Sequence, residues 1–252
     1  MDEKSWLLLY KEGGDVVSFT IVLCYSTGGV PVKLITYYSY CGGMTDPLDA
    51  LHDQARSGAD AILCRVRLTK DNVPIIYRDS SMARMCMREE RVDELTFREV
   101  EALMLLSSRR ILTLDRLFDE YAGQTPIILH FRGFRPEADL IYRTALDPRF
   151  LFASDSVQQI RFVANVYPQC GTVGFASHIP VAEEMMAAGA RAVCLYGREI
   201  SQYPKDRIPV ESDQCSIWFD VHREPNERID ALMKQVRNLG GSGITVPLEY
   251  IR

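Results

Sequence analysis

Short apolar runs alternate with amphipathic segments from about residue 34 to the end of the chain. Each run is rich in β-branched or aromatic residues and is bounded by Gly, Pro, Asp or Ser, which is the pattern of a buried strand. The predicted strands are 33–40, 60–67, 126–132, 150–154, 172–176, 191–196, 216–221 and 243–246. A further strand-like piece at 74–78 falls outside this regular spacing.

The segments between these runs carry the start and stop signals of helices. Thr96 and Glu99 have the spacing of a capping box. Pro180 and Gly189 are placed to open and close a helix at 180–188. Strands that alternate with helices eight times predict an α/β fold, the (β/α)8 TIM barrel. A doubly wound open sheet is the alternative from the pattern alone, but no glycine-rich phosphate fingerprint follows the first strand.

The first 33 residues do not follow the rhythm of the barrel. Two apolar runs, 6–10 and 16–25, flank the turn-forming sequence Lys-Glu-Gly-Gly-Asp, which predicts a β-hairpin. We therefore expect an N-terminal hairpin extension at 1–33 followed by one barrel domain at 34–252. Such a hairpin could form the contact surface of a homo-oligomer.

Composition narrows the class of protein. A hydrophobic content of 47% with 25% charged residues is ordinary for a globular protein. The formal net charge of -5 argues against a general nucleic-acid binder. Seven cysteines without a CxxC pair are typical of reduced, buried thiols. With no pattern of a signal peptide or a membrane span, we expect a cytoplasmic protein.

Several segments in the predicted barrel resemble the glycerophosphodiester phosphodiesterase family, of the phospholipase-C-like phosphodiesterase superfamily. The similar segments are GADAI at 58–62, VRLTKD at 66–71, PIIYRD at 74–79, ILTL at 111–114 and GGSGITVP at 240–247. The resemblance implies a TIM barrel and metal-dependent cleavage of glycerophosphodiesters, a reaction of lipid metabolism. It also implies two histidines as acid and base, and carboxylates that hold a divalent cation.

The residues that carry this chemistry in the family differ here. The His-Arg pair after the first strand is Tyr40-Cys41, the Glu-x-Asp metal pair is Leu63 and Arg65, and the second histidine is Arg78; a further metal-binding Glu is His130. Leucine cannot ligate a metal, and arginine repels one. The family's catalytic and metal-binding residues are thus missing, which predicts a catalytically inactive relative.

Arginine and histidine at these positions predict a different use of the barrel mouth. By strand alternation Leu63 and Arg65 share the inward face, as do His130 and Arg132. Arg78 comes from a neighbouring strand, so the three arginines and His130 are expected to converge where the family holds its cation. Guanidinium forks bind phosphate and carboxylate bidentately. We therefore expect a phosphorylated or anionic small molecule as the partner, with no cofactor.

Three alternatives stay open from the sequence. The first is that the arginines only pair with carboxylates, at Asp79, Asp155 or Asp220. The second is a divergent phosphodiesterase with a rebuilt metal site that would require Mg²⁺ or Ca²⁺, built from His130, Asp220, His222 and Glu224. The third is a structural or oligomerisation module whose interface is the hairpin at 1–33.

Overall fold

The computed structural model describes residues 32–38, 46–196, 202–209, 215–220 and 229–246. In chain order the elements are β1 (Lys33–Tyr37), α1 (Pro47–Ala55), β2 (Ala61–Leu68), β3 (Pro74–Ile76), α2 (Ala83–Cys86), α3 (Phe97–Leu106), β4 (Leu112–Thr113), α4 (Leu114–Glu120), β5 (Ile127–Phe131), α5 (Ala138–Leu146), β6 (Phe150–Ser154), α6 (Val157–Val166), β7 (Thr172–Ala176), α7 (Ile179–Ala187), β8 (Ala192–Leu195), β9 (Ser216–Asp220), α8 (Ile229–Asn238) and β10 (Gly243–Val246). Single turns of 3₁₀ helix lie at Val92–Glu94 and Lys205–Arg207.

Eight parallel strands close into a barrel. The order around it is β1, β2, β5, β6, β7, β8, β9 and β10, and β1 pairs in parallel with both β2 and β10. Helices cover the outside of this ring, as the alternation of strands and helices requires. The predicted (β/α)8 barrel is confirmed, and closure excludes the open-sheet alternative.

Two antiparallel strands extend the barrel at β2. The last three residues of β2 pair with β3, and β3 in turn pairs with β4. The strand-like piece predicted at 74–78 is therefore real, although its strand ends at Ile76. This extension carries its own small core, which includes Ile75, Met82 and Met104.

Strand alternation divides the apolar residues into two layers. One layer lies between the strands and the helices, where Cys64 and Leu129 are fully buried. The other fills the barrel interior, where Ile35, Leu63 and Ile128 meet. Neighbouring residues of one strand belong to different layers. On β2 and β5 the interior positions that follow Leu63 and Ile128 are polar, namely Arg65 and His130.

The local helix signals are confirmed. The Thr96 amide donates to Oε2 of Glu99 at 2.7 Å, and the Glu99 amide donates to Thr96 Oγ1 at 3.4 Å, which completes the capping box of α3. Pro180 lies in the first turn of α7, and Gly189 follows the helix with a φ of 94°.

The predicted hairpin at 1–33 lies outside the described residues, apart from Val32 and Lys33 at its end. No helix within the described ranges is long and apolar enough to cross a membrane. The five cysteines of these ranges are buried free thiols, as predicted: Cys64, Cys86, Cys170, Cys194 and Cys215.

Candidate anion-binding site at the barrel mouth

The carboxyl ends of the eight parallel strands open at one end of the barrel, which we call the mouth. Tyr37 ends β1, Asp220 ends β9, and Arg65 and His130 face each other in the register of β2 and β5. TIM barrels place their sites at this end because side chains from several strands converge there.

Two arginines share the ring of Tyr37. The guanidinium carbon of Arg65 lies 5.4 Å from the ring centroid, and that of Arg78 lies 5.3 Å from it. Both distances are within the range of a cation–π interaction. Neither arginine forms an ion pair with a carboxylate in the described ranges, and Nε of Arg65 is buried with no hydrogen-bond partner there. Two positive charges at the mouth therefore share an aromatic ring and form no direct ion pair among the described residues.

His130 and Arg132 converge on Asp155. Nε2 of His130 lies 2.6 Å from Asp155 Oδ1, and Nε of Arg132 lies 3.3 Å from Oδ2. The imidazole stacks on Phe175 with ring centroids 4.1 Å apart and is only 2% exposed. Arg132 also lies over the ring of Tyr196 at 5.8 Å. The network fixes Arg132 at the mouth and partly neutralises it.

Burial sets the protonation of this network. It lowers the pKa of His130, although the hydrogen bond to Asp155 opposes the shift. Burial alone would raise the pKa of Asp155, but His130, Arg132 and Arg65 together hold that pKa below its usual value. The structure thus favours a neutral imidazole beside an ionised carboxylate.

Asp220 ends β9, away from the network of His130 and Asp155 at β5 and β6. It is 7% exposed, and Thr245 Oγ1 donates to its Oδ1 at 3.1 Å. Burial and the Asp220 carboxylate raise the pKa of Tyr37, while Arg65 lowers it. Asp220 is therefore engaged with its barrel neighbours. No group of three or more His, Cys, Asp or Glu side chains gathers within the part of the chain that the structure describes.

Three described positions, Leu63, Arg65 and His130, do not suit the divalent cation that the resemblance implies. Leu63 is 1% exposed and packs in the interior layer, where it offers no oxygen ligand. Arg65 holds its positive charge over Tyr37. His130 already binds Asp155 through Nε2, and its Nδ1 is buried. These three positions cannot supply the oxygen ligands that such a cation requires.

The structure brings together the predicted cluster of Arg65, Arg78, Arg132 and His130 at one mouth. Tyr40, Cys41, His222 and Glu224 lie outside the described residues, and with them part of the alternative metal site. Among the salt bridges of the described residues, the expected pairing of these arginines with acids is seen for Arg132, which binds Asp155, whereas Asp79 pairs with Arg84 at 2.6 Å.

Sequence reasoning assigned no site role to the aromatic partners of the arginines. These partners are Tyr37 and Tyr196, and Phe175 in the same way stacks on His130. Tyr37 ends β1, and Asp155 and Tyr196 directly follow β6 and β8, so their positions at strand ends were the available signal. Ring stacking itself depends on contacts between strands that are distant in sequence.

Two comparisons with known proteins bear on this site. A model of the glycerophosphoryl diester phosphodiesterase family matches residues 47–126, a range that contains Leu63, Arg65 and Arg78. The resemblance to this family is confirmed. A search of curated protein sequences found no significant match.

Solved structures extend the likeness in fold to most of the chain. A proposed glycerophosphodiester phosphodiesterase from Galdieria sulphuraria aligns with a TM-score of 0.68 at 13% identity, over 89% of this chain and 96% of its own. A glycerophosphodiester phosphodiesterase from Parabacteroides distasonis gives 0.66 at 16% identity, over 88% and 94%. A phosphodiesterase from Oleispira antarctica in complex with the product sn-glycerol-3-phosphate gives 0.60 at 16% identity, over 86% and 94%. At these identities the likeness shows the shared barrel fold.

Proposed function

We propose that this protein binds a phosphorylated or otherwise anionic small molecule at the barrel mouth and does not catalyse the family's metal-dependent hydrolysis. The observation that carries the proposal is the pair formed by Arg65 and Arg78 on the ring of Tyr37, with no carboxylate partner in the described ranges. The family uses a cation at this position, and here the positive charge belongs to the protein.

Electrostatics favours an anion at this place. Two guanidinium groups that share one ring repel each other, and burial of part of Arg65 reduces the screening by water. A phosphate or carboxylate between them would relieve the repulsion and accept several N–H bonds.

The same geometry argues against the family's reaction. Acid–base catalysis requires a group that reaches the proton it transfers. His130 is the histidine of the described mouth, and it is 2% exposed, stacked on Phe175 and bound to Asp155. It holds the neighbouring side chains in place and offers no exposed nitrogen to a substrate.

The binding test uses sn-glycerol-3-phosphate, the product bound to the Oleispira antarctica phosphodiesterase. Isothermal titration calorimetry is expected to show binding that weakens about tenfold or more in Arg65→Met, because one desolvated guanidinium contact is lost. Arg161→Met, an exposed position on α6, serves as the control and should leave the affinity unchanged. Absence of binding, or equal affinity in Arg65→Met, would contradict the proposal.

The activity test separates the inactive protein from a divergent enzyme. Glycerophosphodiesters are incubated with the protein and Mg²⁺, Ca²⁺ or Mn²⁺, and the release of glycerol phosphate is followed. We expect no turnover above the metal-only background. Metal-dependent turnover that disappears in Asp220→Asn or His222→Gln would establish the rebuilt metal site and overturn the inactive assignment.

A further inference from the structure

A third arginine lies beside the pair at the mouth. Arg67 follows Arg65 by two residues on β2, so strand alternation puts both on one face. In the antiparallel extension Arg67 lies opposite Ile75. Its Nε is buried with no hydrogen-bond partner in the described ranges, and like Arg65 it forms no ion pair there. The row of positive charge therefore continues from the mouth onto the extension.

The carboxylates near this row are engaged elsewhere. Asp79 binds Arg84 at 2.6 Å, and Asp93 binds Arg91 at 2.8 Å. Burial and the charges of Arg65, Arg132 and Arg91 lower the pKa of Arg67, whereas Asp79 raises it. Arg67 is thus surrounded by more positive than negative charge. An anionic group placed beside it would remove an unfavourable interaction that the protein alone leaves in place.

The three arginines exceed what one phosphate neutralises. A phosphomonoester brings about two negative charges near neutral pH. Arg65 and Arg78 match those two charges, and Arg67 then remains uncompensated. A second phosphate joined to the first would extend along β2 toward Arg67, whose backbone lies about 6.6 Å beyond that of Arg65, and the long arginine side chains can close the remaining gap.

We propose that the ligand of this site carries two neighbouring phosphate groups, one held by Arg65 and Arg78 and the other by Arg67. This inference rests on the proposed function, since it assigns a class of ligand to the same mouth. It identifies the ligand as a diphosphate-bearing small molecule.

Calorimetry with inorganic diphosphate, inorganic phosphate and sn-glycerol-3-phosphate tests the inference. Diphosphate is expected to bind about tenfold or more tightly than phosphate, because a second desolvated charge contact is added. Arg67→Met should remove most of that preference, Arg67→Lys should retain part of it through its charge, and Arg161→Met should keep all of it. Thermal denaturation of each variant verifies that it is folded.

The outcomes separate the two proposals. Tight binding of sn-glycerol-3-phosphate with no preference for diphosphate would overturn only the diphosphate assignment. A preference that survives in folded Arg67→Met would also overturn it. If none of the three anions binds, both the anion site and its diphosphate specificity are wrong.

Discussion

Two sets of residues within the family-like segments behave differently in the fold. Asp60 and Asp71 accept hydrogen bonds from backbone amides. Oδ2 of Asp60 accepts from the Leu34 amide at 2.6 Å. Oδ1 of Asp71 accepts from the Phe97 amide at 2.8 Å and also from Thr69 Oγ1 at 2.6 Å. At the mouth, Leu63 and Arg65 stand on the strand between them and depart from the family pattern.

The difference shows that the framework and the chemistry of this barrel are separable. Asp60 ties the start of β2 to β1, and Asp71 ties the turn after β2 to the start of α3. The Leu34 amide is partly buried and the Phe97 amide lies in the first turn of α3, where no carbonyl of the helix can accept from it, so each bond satisfies a donor that would otherwise be left to solvent. Leu63 and Arg65 make no such side-chain bond to the backbone in the described ranges, and the barrel closes with leucine and arginine at these positions.

Leu63→Glu returns a family-like carboxylate to the mouth and should have the largest effect. Leu63 is 1% exposed among apolar residues, so an ionised glutamate there would be buried without a full set of partners. We expect the free energy of unfolding to fall by about 3 kcal/mol in urea denaturation. Leu63→Met should lose less than about 1.5 kcal/mol. If Leu63→Glu is as stable as the wild type, or gains stability from Mg²⁺, the rest of a metal site is still present at the mouth. The contrast between the framework and the mouth would then be wrong.

Asp60→Ala tests the framework side. The Leu34 amide would lose the carboxylate that accepts its hydrogen bond at 2.6 Å. The expected loss is about 2 kcal/mol of unfolding free energy, measured by urea denaturation. Asp53→Ala is the matched control, because Asp53 is exposed on α1 and contacts Arg56 alone among the described salt bridges; it should stay within about 0.5 kcal/mol. Equal losses of unfolding free energy in the two variants would show that the bond from the Leu34 amide to Asp60 does not stabilise the barrel.

His130→Gln probes the acid sensitivity of the mouth. The folded-state pKa of His130 is depressed by burial, so its contribution to stability is complete above the unfolded pKa of about 6.5 and is lost as pH falls below it. The wild type should therefore lose more unfolding free energy between pH 7.5 and pH 5 than His130→Gln does, in urea denaturation at each pH. His178→Gln, at an exposed position, should follow the wild type. If the unfolding free energy of His130→Gln falls with pH as steeply as that of the wild type, the imidazole is not the source of the acid sensitivity.

Arg78→Met should have the smallest effect on stability. Arg78 forms no ion pair in the described ranges and shares the ring of Tyr37 with Arg65, so its loss should change the unfolding free energy by no more than about 0.5 kcal/mol. Arg149→Met provides the contrast, because Arg149 binds Asp147 at 2.6 Å and donates to the Tyr121 carbonyl at 2.7 Å; its loss should cost about 1 kcal/mol. Thermal denaturation measures both. A larger loss in Arg78→Met would show that the guanidinium stabilises the fold and is not held for a ligand.

Much of the fold was predictable because its signals are local. Apolar runs with the period of a strand, a capping box at Thr96 and Glu99 and a turn at Gly189 each depend on residues a few positions apart. The apolar pattern indicated a strand at β3 but did not show that it pairs antiparallel with β2. The direction of pairing depends on the geometry of the turn between the two strands, which the apolar pattern does not encode. The convergence of Arg65 and Arg132 was predictable once eight strands implied a closed barrel.

The residue types and their spacing along the chain were enough to predict the barrel, its two apolar layers and the leucine and arginines at the mouth, because strand period and residue type are properties of the linear sequence. The contacts of each arginine became visible only in the folded barrel. Strand alternation placed Arg65 and Arg132 at one mouth, but closure of the barrel brought Arg65 and Arg78 to 5.4 Å and 5.3 Å from the ring centroid of Tyr37 and brought His130 and Arg132 to Asp155. Whether a charge is neutralised or left for a ligand depends on such contacts between strands, and a linear pattern does not contain them.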